Sequence, residues 1–323
     1  MHYRRLGRSG LKISEISLGS WITFGNQIDR QSAMDLIHTA YDQGVNFFDN
    51  ADMYANGQAE IVMGEAIKTL PREALVLSSK VFWPTMPGPN GRGLSRKHVT
   101  ESIHASLRRL GTDYVDLYYC HRYDPDTPLE EIARVMDDLV HQGKVLYWGT
   151  SEWQAHQIAQ LVGVSRQYGL IPPSMEQPQY NLFHRRRFEE EIAPTCREHG
   201  LGLTTFSPLY HGILTGKYNQ GIPEGSRAAL EDLPWMRDRI TPERIASVRK
   251  LTEIAQELEL TTGQLSLAWI LRRKEISSVI TGATRLEQFD ENVAAVEAVE
   301  LLTNDILERI DTAFAYPASE SQR

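Results

Sequence analysis

The chain has 323 residues, and its 34 Lys and Arg against 42 Asp and Glu leave a formal net charge of −8. That acidic balance argues against a nucleic-acid partner, whose phosphates require a clustered basic excess. With 41% hydrophobic and 24% charged residues, the composition is that of an ordinary folded protein with a substantial core. Only Cys120 and Cys196 are present, which excludes a disulfide framework or a cysteine metal cluster and fits a reducing cytoplasm. The N-terminal stretch lacks the apolar core of a signal peptide, and the longest uncharged run, near 201–216, is broken by Ser207, Pro208 and glycines. No membrane insertion and a cytoplasmic location are therefore expected.

Tyr3–Leu6 and Leu11–Ser14, joined by Gly7-Arg8-Ser9-Gly10, read as a short hairpin. Eight strand candidates follow at Ile16–Gly19, Asn46–Asp49, Leu75–Lys80, Tyr114–His121, Val145–Ser151, Ser174–Gln177, Gly202–Ser207 and Ser277–Gly282. Amphipathic helix patterns between them close on Gly44, Gly111, Gly143, Gly169 and Gly200, as helices do where the chain must turn left-handed. Strand–helix alternation at roughly 30-residue spacing, with no linker between halves, predicts one (β/α)8 TIM barrel spanning 1–323, its bottom capped by the hairpin. A doubly wound open sheet is the alternative, but no Gly-x-Gly-x-x-Gly follows the first strand. Val81–Gly93 and Gly212–Arg227, rich in Pro and Gly, are expected as long loops over the C-terminal face, and Ala318–Arg323 as a frayed tail.

Functional groups of such a barrel lie at the C-terminal ends of its strands. Asp49, Lys80, His121, Ser151, Gln177 and Ser207 each close an apolar run, and Tyr54 follows in the loop after Asp49. A phenol is a poor proton donor near neutrality, and an adjacent ammonium makes it a better one. Lys80 is expected to supply that charge, Asp49 to pair with Lys80, and His121 to hydrogen-bond a substrate oxygen or relay a proton. Tyr54 is then the general acid for a carbonyl. Trp21, Phe24, Trp83, Tyr123 and Trp153 fall near strand ends and suggest an aromatic pocket, with Trp21 and Trp83 its first candidates beside Tyr54 and His121. Each residue also has a plainer reading. Asp49 suits a helix N-cap, Tyr54 ordinary packing, and Lys80 a solvated strand end or the Schiff-base lysine of a barrel aldolase. His121 suits a surface ion-pair cluster with Arg122 and Asp124. No metal-ligand set stands out.

Asp49, Tyr54, Lys80 and His121, with the run Gly44-Val45-Asn46-Phe47-Phe48-Asp49-Asn50-Ala51-Asp52-Met53-Tyr54, resemble the tetrad and strand-two signature of the aldo-keto reductases. The chain looks most like the branch of voltage-gated potassium channel β-subunits and their bacterial relatives, through Tyr147-Trp148-Gly149-Thr150-Ser151, Gly216-Lys217-Tyr218 and Gly282-Ala283-Thr284-Arg285. Channel subunits tend to have a basic residue where Glu152 stands, and have asparagine where this chain has His121. The tetrad therefore looks like that of an unhindered reductase. The resemblance implies NADPH-dependent reduction of aldehydes or ketones, with a cofactor-binding, redox-sensing regulatory subunit as the alternative, and a homo-oligomer, tetrameric by analogy.

It also implies an NADPH/NADP+ site assembled from strand ends. Asp49, Ser151 and Gln177 would meet the nicotinamide end, and Phe206, Ser207, Pro208, Leu209, Gly212, Lys217 and Arg227, with Tyr210 near them, would cover the pyrophosphate. Gly282, Thr284, Gln288, Glu291 and Asn292 match the adenosine end, and Gly19, Ser20, Trp21 and Gln27 are also assigned to the cofactor. Many family members have arginine where Gln288 stands. Here Lys217, Arg227 and Arg285 are the cations available to a 2′-phosphate.

Overall fold

The computed structural model describes residues 1–21, 23–24, 27–230 and 234–315, so the expected frayed tail at 318–323 lies outside the described residues. β1 (Tyr3–Arg5) and β2 (Lys12–Ser14) form the antiparallel hairpin, with Tyr3 opposite Ser14. Parallel strands follow as β3 (Ile16–Gly19), β4 (Phe47–Asp49), β5 (Val76–Val81), β6 (Val115–Cys120), β7 (Val145–Ser151), β8 (Met175–Gln177), β9 (Gly202–Thr205) and β10 (Ile276–Thr281). They pair in order, and β10 joins β9 on one side and β3 on the other, which closes the barrel. The predicted (β/α)8 barrel and hairpin are both present.

Between the strands up to β9 run α1 (Arg30–Asp42), α2 (Gln58–Ile67), α3 (Arg96–Leu110), α4 (Leu129–His141), α5 (Ala155–Gln167) and α6 (Ala193–His199). The last crossover, from β9 to β10, carries α7 (Pro242–Glu257) and α8 (Thr262–Leu271), where simple alternation predicts a single helix. α9 (Leu286–Ala294) and α10 (Asn304–Ala313) follow β10. Local chemistry sets the helix ends. Ser95 Oγ accepts the His98 N–H to start α3, and Gly111 ends that helix at φ 66°, where its N–H reaches the Leu107 carbonyl. The other four helix-ending glycines named from the sequence also take positive φ.

Along the strands, alternate side chains enter the barrel. At its N-terminal end Phe47, Val76, Leu117 and Met175 pack with Leu6 and Ile13, so the hairpin plugs the bottom with apolar surface. Two residues further along the same strands, the same inward face carries Asp49, Ser78, Tyr119 and Gln177, all buried. One period therefore builds an apolar floor and a polar mouth.

Candidate active site

Lys80 ends the inward row of β5 and is 0% exposed. Its Nζ donates to Asp49 Oδ2 at 2.6 Å and to the Asn50 carbonyl at 2.8 Å. A buried ammonium is tolerated only with such acceptors. Asp49 Oδ1 accepts from Ser78 Oγ at 2.8 Å and from Gln177 Nε2 at 3.1 Å, which ties β4 to β8 across the barrel mouth. Ser151 Oγ in turn donates to the Gln177 carbonyl at 2.9 Å. The backbone N–H of Ser20 donates to the Asp49 carbonyl, and Gly19 pairs with Asp49 in the sheet. Asp49 caps no helix, since α2 begins only at Gln58.

After Asp49 the chain turns through Tyr54–Gly57, where Ala55 and Asn56 sit at φ 48° and 54°. Such left-handed strain in residues with a Cβ persists only where the surroundings enforce it. The turn places the Tyr54 ring centroid 5.1 Å from Lys80 Nζ, and the His121 ring meets it edge-on at 5.9 Å. All four tetrad positions thus converge. Tyr54 and His121 are 8% and 6% exposed, so neither belongs to a surface cluster.

The electrostatics differ from the sequence expectation in one respect. Burial pushes the Tyr54 phenol well above its usual range, Asp49 adds to the rise, and Arg122 opposes it. Lys80 does not bring the phenol down, because its charge is engaged by Asp49 and the Asn50 carbonyl, and burial pulls its own ammonium below the ordinary lysine value. Burial, with Lys80 and Arg122 acting the same way, holds the His121 imidazole well below its usual range. His121 is therefore neutral, suited to hydrogen bonding, and its Nδ1 is buried without a partner among the described residues.

Trp83 meets His121 edge-on at 6.4 Å. Trp21, 39% exposed, meets His211 at 5.8 Å, and His211 meets Trp235 at 5.0 Å. Phe24 and Trp153 are wholly buried in the core, and Tyr123 packs on Trp153 at 4.9 Å. The expectation that Phe24 and Trp153 line an open pocket is corrected accordingly, because closeness to a strand end in sequence does not fix which way a side chain packs.

The segment after β9 is strained, with Ser207, Tyr210, His211 and Gly212 at φ 50°, 44°, 58° and 93°. Phe206 bridges to Gln179, the Ser207 carbonyl accepts from Asn181 Nδ2 at 2.9 Å, Pro208 is buried and Leu209 half-buried. Lys217 folds back over Gly212, where an added Cβ would lie 2.6 Å from Nζ. Arg227 Nε reaches Gln27 Oε1 at 3.4 Å, and its other end approaches Gly282. Desolvation, then the charges of Arg227 and Arg285, push the Lys217 ammonium down to about 8. No carboxylate pairs with Lys217 or Arg227 among the described residues. Crowded cations left in this state fit a highly anionic dinucleotide. Gln288 Oε1 accepts from the Thr284 N–H at 3.0 Å and its hydroxyl at 3.1 Å, Asn292 is buried, and Glu291 is exposed.

Several participants escaped the sequence reading. Ser78, two residues before Lys80 on the same inward face, was recoverable from the strand period. His211 and Trp235 were not, since His211 meets Trp21 from a segment far away in the chain, and Trp235 meets His211 from further along the same β9–α7 connection. Glu152 stands at φ 60°, accepts the Gln179 N–H at 2.6 Å and pairs with Arg187 at 3.4 Å, which makes it a brace for the β8 end. Among the described residues no group of His, Cys, Asp or Glu could hold a metal ion, and no helix is long and apolar enough to cross a membrane.

Comparison with known proteins agrees with this architecture. A protein of Arabidopsis thaliana named as a probable voltage-gated potassium channel subunit beta is 49% identical over 315 residues, covering 96% of each chain. Its like-named counterpart in Oryza sativa subsp. japonica is 47% identical over 315 residues, with the same coverage. A similarly named protein of Schizosaccharomyces pombe is 45% identical over 327 residues, covering 99% of this chain and 95% of the other. With residues 15–314 matching that family throughout the barrel, the chain belongs to the aldo/keto reductase family.

Proposed function

We propose that the chain is an NADPH-dependent oxidoreductase that reduces aldehyde or ketone carbonyls to alcohols. The observation that carries this reading is the buried Lys80–Asp49 pair, 2.6 Å apart, set beside Tyr54 and His121 at the barrel mouth. When bound, NADPH supplies the hydride to the carbonyl carbon. Ser151 and Gln177 would hold its nicotinamide end, Ser207, Lys217 and Arg227 its phosphates, and Gly282, Thr284 and Asn292 its adenosine end. The neutral His121 imidazole hydrogen-bonds the carbonyl oxygen and orients it. The Tyr54 hydroxyl then gives its proton to the developing alkoxide, and Arg122, whose charge opposes the rise of the phenol, favours the phenolate left behind. Gln177, fixed by Asp49 and Ser151, keeps the floor of the site rigid.

Tyr54→Phe tests the reading. Single-turnover absorbance of bound NADPH against aromatic aldehydes should show reduction falling about 10²-fold or more, with NADPH affinity nearly unchanged. Wild-type turnover in that variant would remove Tyr54 as the acid.

A second reading, a cofactor-binding subunit that reports redox state to a membrane channel on its cytoplasmic side, is favoured by the names of the relatives. Co-purification of a tetramer with a channel, without turnover on any carbonyl, would select it. His121, where the resembling channel subunits have asparagine, weighs toward turnover.

A further inference from the structure

Arg122 follows His121 directly at the end of β6. One of its N–H groups donates to the His121 carbonyl, and its guanidinium carbon lies 5.8 Å from the centroid of the Trp83 ring. That ring is the one that faces His121 at 6.4 Å, so the guanidinium and the imidazole share one aromatic wall. The charge of Arg122 is felt by Tyr54, Lys80 and His121 alike.

An arginine in this half-buried setting ordinarily spends its fork on a carboxylate. Arg122 does not: no ion pair reaches it, and its remaining donors have no acceptor among the described residues. The acid closest in sequence is committed elsewhere. Asp124 Oδ2 accepts from the Leu94 N–H and the Thr127 hydroxyl at 2.7 Å each, and Oδ1 accepts from the Asp126 N–H at 3.1 Å. A second arginine, Arg92, lies 5.5 Å from the Phe82 ring, which packs edge-on against Trp83 at 5.2 Å. A protein of net charge −8 thus keeps an unpaired planar cation beside its proposed catalytic groups, on an apolar aromatic surface.

We infer that Arg122 is a specificity-determining residue that selects carbonyl substrates bearing a carboxylate: aliphatic oxo acids and carboxylated aryl aldehydes. The inference rests on the reductase reading and adds its substrate class. A planar guanidinium fork matches a carboxylate bidentately.

The test uses full-length protein and matched substrates: benzaldehyde, 4-carboxybenzaldehyde and, to control for size, 4-carbamoylbenzaldehyde, with butanal against succinic semialdehyde. Wild-type kcat/KM should favour each carboxylated member by about tenfold, and Arg122→Gln should bring the ratio near one through a raised KM for the acids. A ratio unchanged in Arg122→Gln, or no preference in the wild type, overturns the inference, because a merely bracing arginine affects all five substrates alike. Calorimetric titration of benzoate into the NADP+-loaded protein separates the two readings. Benzoate binding lost in Arg122→Gln, with no carbonyl reduced, keeps the anion site and removes the reductase. Reduction of neutral aldehydes without benzoate binding keeps the reductase and removes the anion site.

Discussion

Lys80 Nζ and Asp49 Oδ2 stand 2.6 Å apart with side chains 0% and 4% exposed, so each charge depends on the other for its solvation. Removing one partner strands the other in a low-dielectric interior, which costs about 3–5 kcal/mol. Lys80→Met should therefore destabilise the fold by that order in urea unfolding, and Asp49→Asn/Lys80→Met should recover much of the loss. Turnover should stay abolished in both. A double variant that loses the sum of the Lys80→Met and Asp49→Asn losses would show that the pair is not coupled.

Asp52 sets a pH dependence of stability. It is buried, with Oδ2 accepting from Ser102 Oγ at 2.6 Å and Oδ1 without a partner among the described residues. Burial raises its carboxyl from 3.8 to about 7, Glu60 adds to the rise, and Ser102 and Arg109 oppose it. A carboxyl raised on folding binds its proton more tightly in the native state, so it favours the fold below about pH 4 and that contribution is lost as pH rises to about 7. Glu176, raised to about 8 by burial, acts in the same direction over a wider range. Asp52→Asn keeps an acceptor for Ser102 but cannot ionise. It should gain on wild type by about 2–4 kcal/mol at pH 8.5 and lose that advantage toward pH 4.5. Parallel stability–pH curves for the two proteins would count against the assignment.

On the proposed reading, Lys217 links cofactor affinity to pH. Its ammonium is pushed down to about 8 by desolvation and neighbouring cations, so it begins to lose charge just above neutrality. NADPH affinity, followed by fluorescence, should weaken between pH 7.5 and 9 in the wild type and be flat over that range in Lys217→Met. The variant should also lose about tenfold of the preference for NADPH over NADH. A variant that keeps the wild-type pH dependence would place the relevant cation elsewhere, with Arg227 the next to test.

Gly149 lies inside the barrel on β7, where an added Cβ would sit 2.1 Å from the Met175 carbonyl oxygen on β8. Neither strand can retreat without opening the β7–β8 pairing. Gly149→Ala should cost about 3 kcal/mol or leave the protein insoluble. Gly163, on the outer face of α5 with nothing within 4 Å of an added Cβ, is the control, and its alanine variant should melt at or slightly above the wild-type temperature.

What could be read from the residues follows from where the determining forces are local. The ends of β3 to β10 lie within about two residues of the sequence expectation, because the period of 2 and the helix-ending glycines at 44, 111, 143, 169 and 200 are short-range signals. Asp49, Lys80 and His121 were legible as polar residues closing apolar runs, and Tyr54 through its spacing from Asp49. Ser78, inside β5, is marked only by the strand period and closes no apolar run, while Trp153 carries a strand-end signal that its burial in the core overrides.

By itself the sequence determined a closed barrel with an apolar floor and a polar mouth, since alternation along each strand already sorts side chains inward and outward. Only the tertiary structure decided that the Lys80 charge is spent on Asp49 and the Asn50 carbonyl, leaving the Tyr54 phenol raised and not lowered. It alone brought Trp21, His211 and Trp235 together and left Arg122, beside His121, with no ion pair among the described residues. Burial, and the distance between groups remote in the chain, exist only once the whole barrel has closed around them.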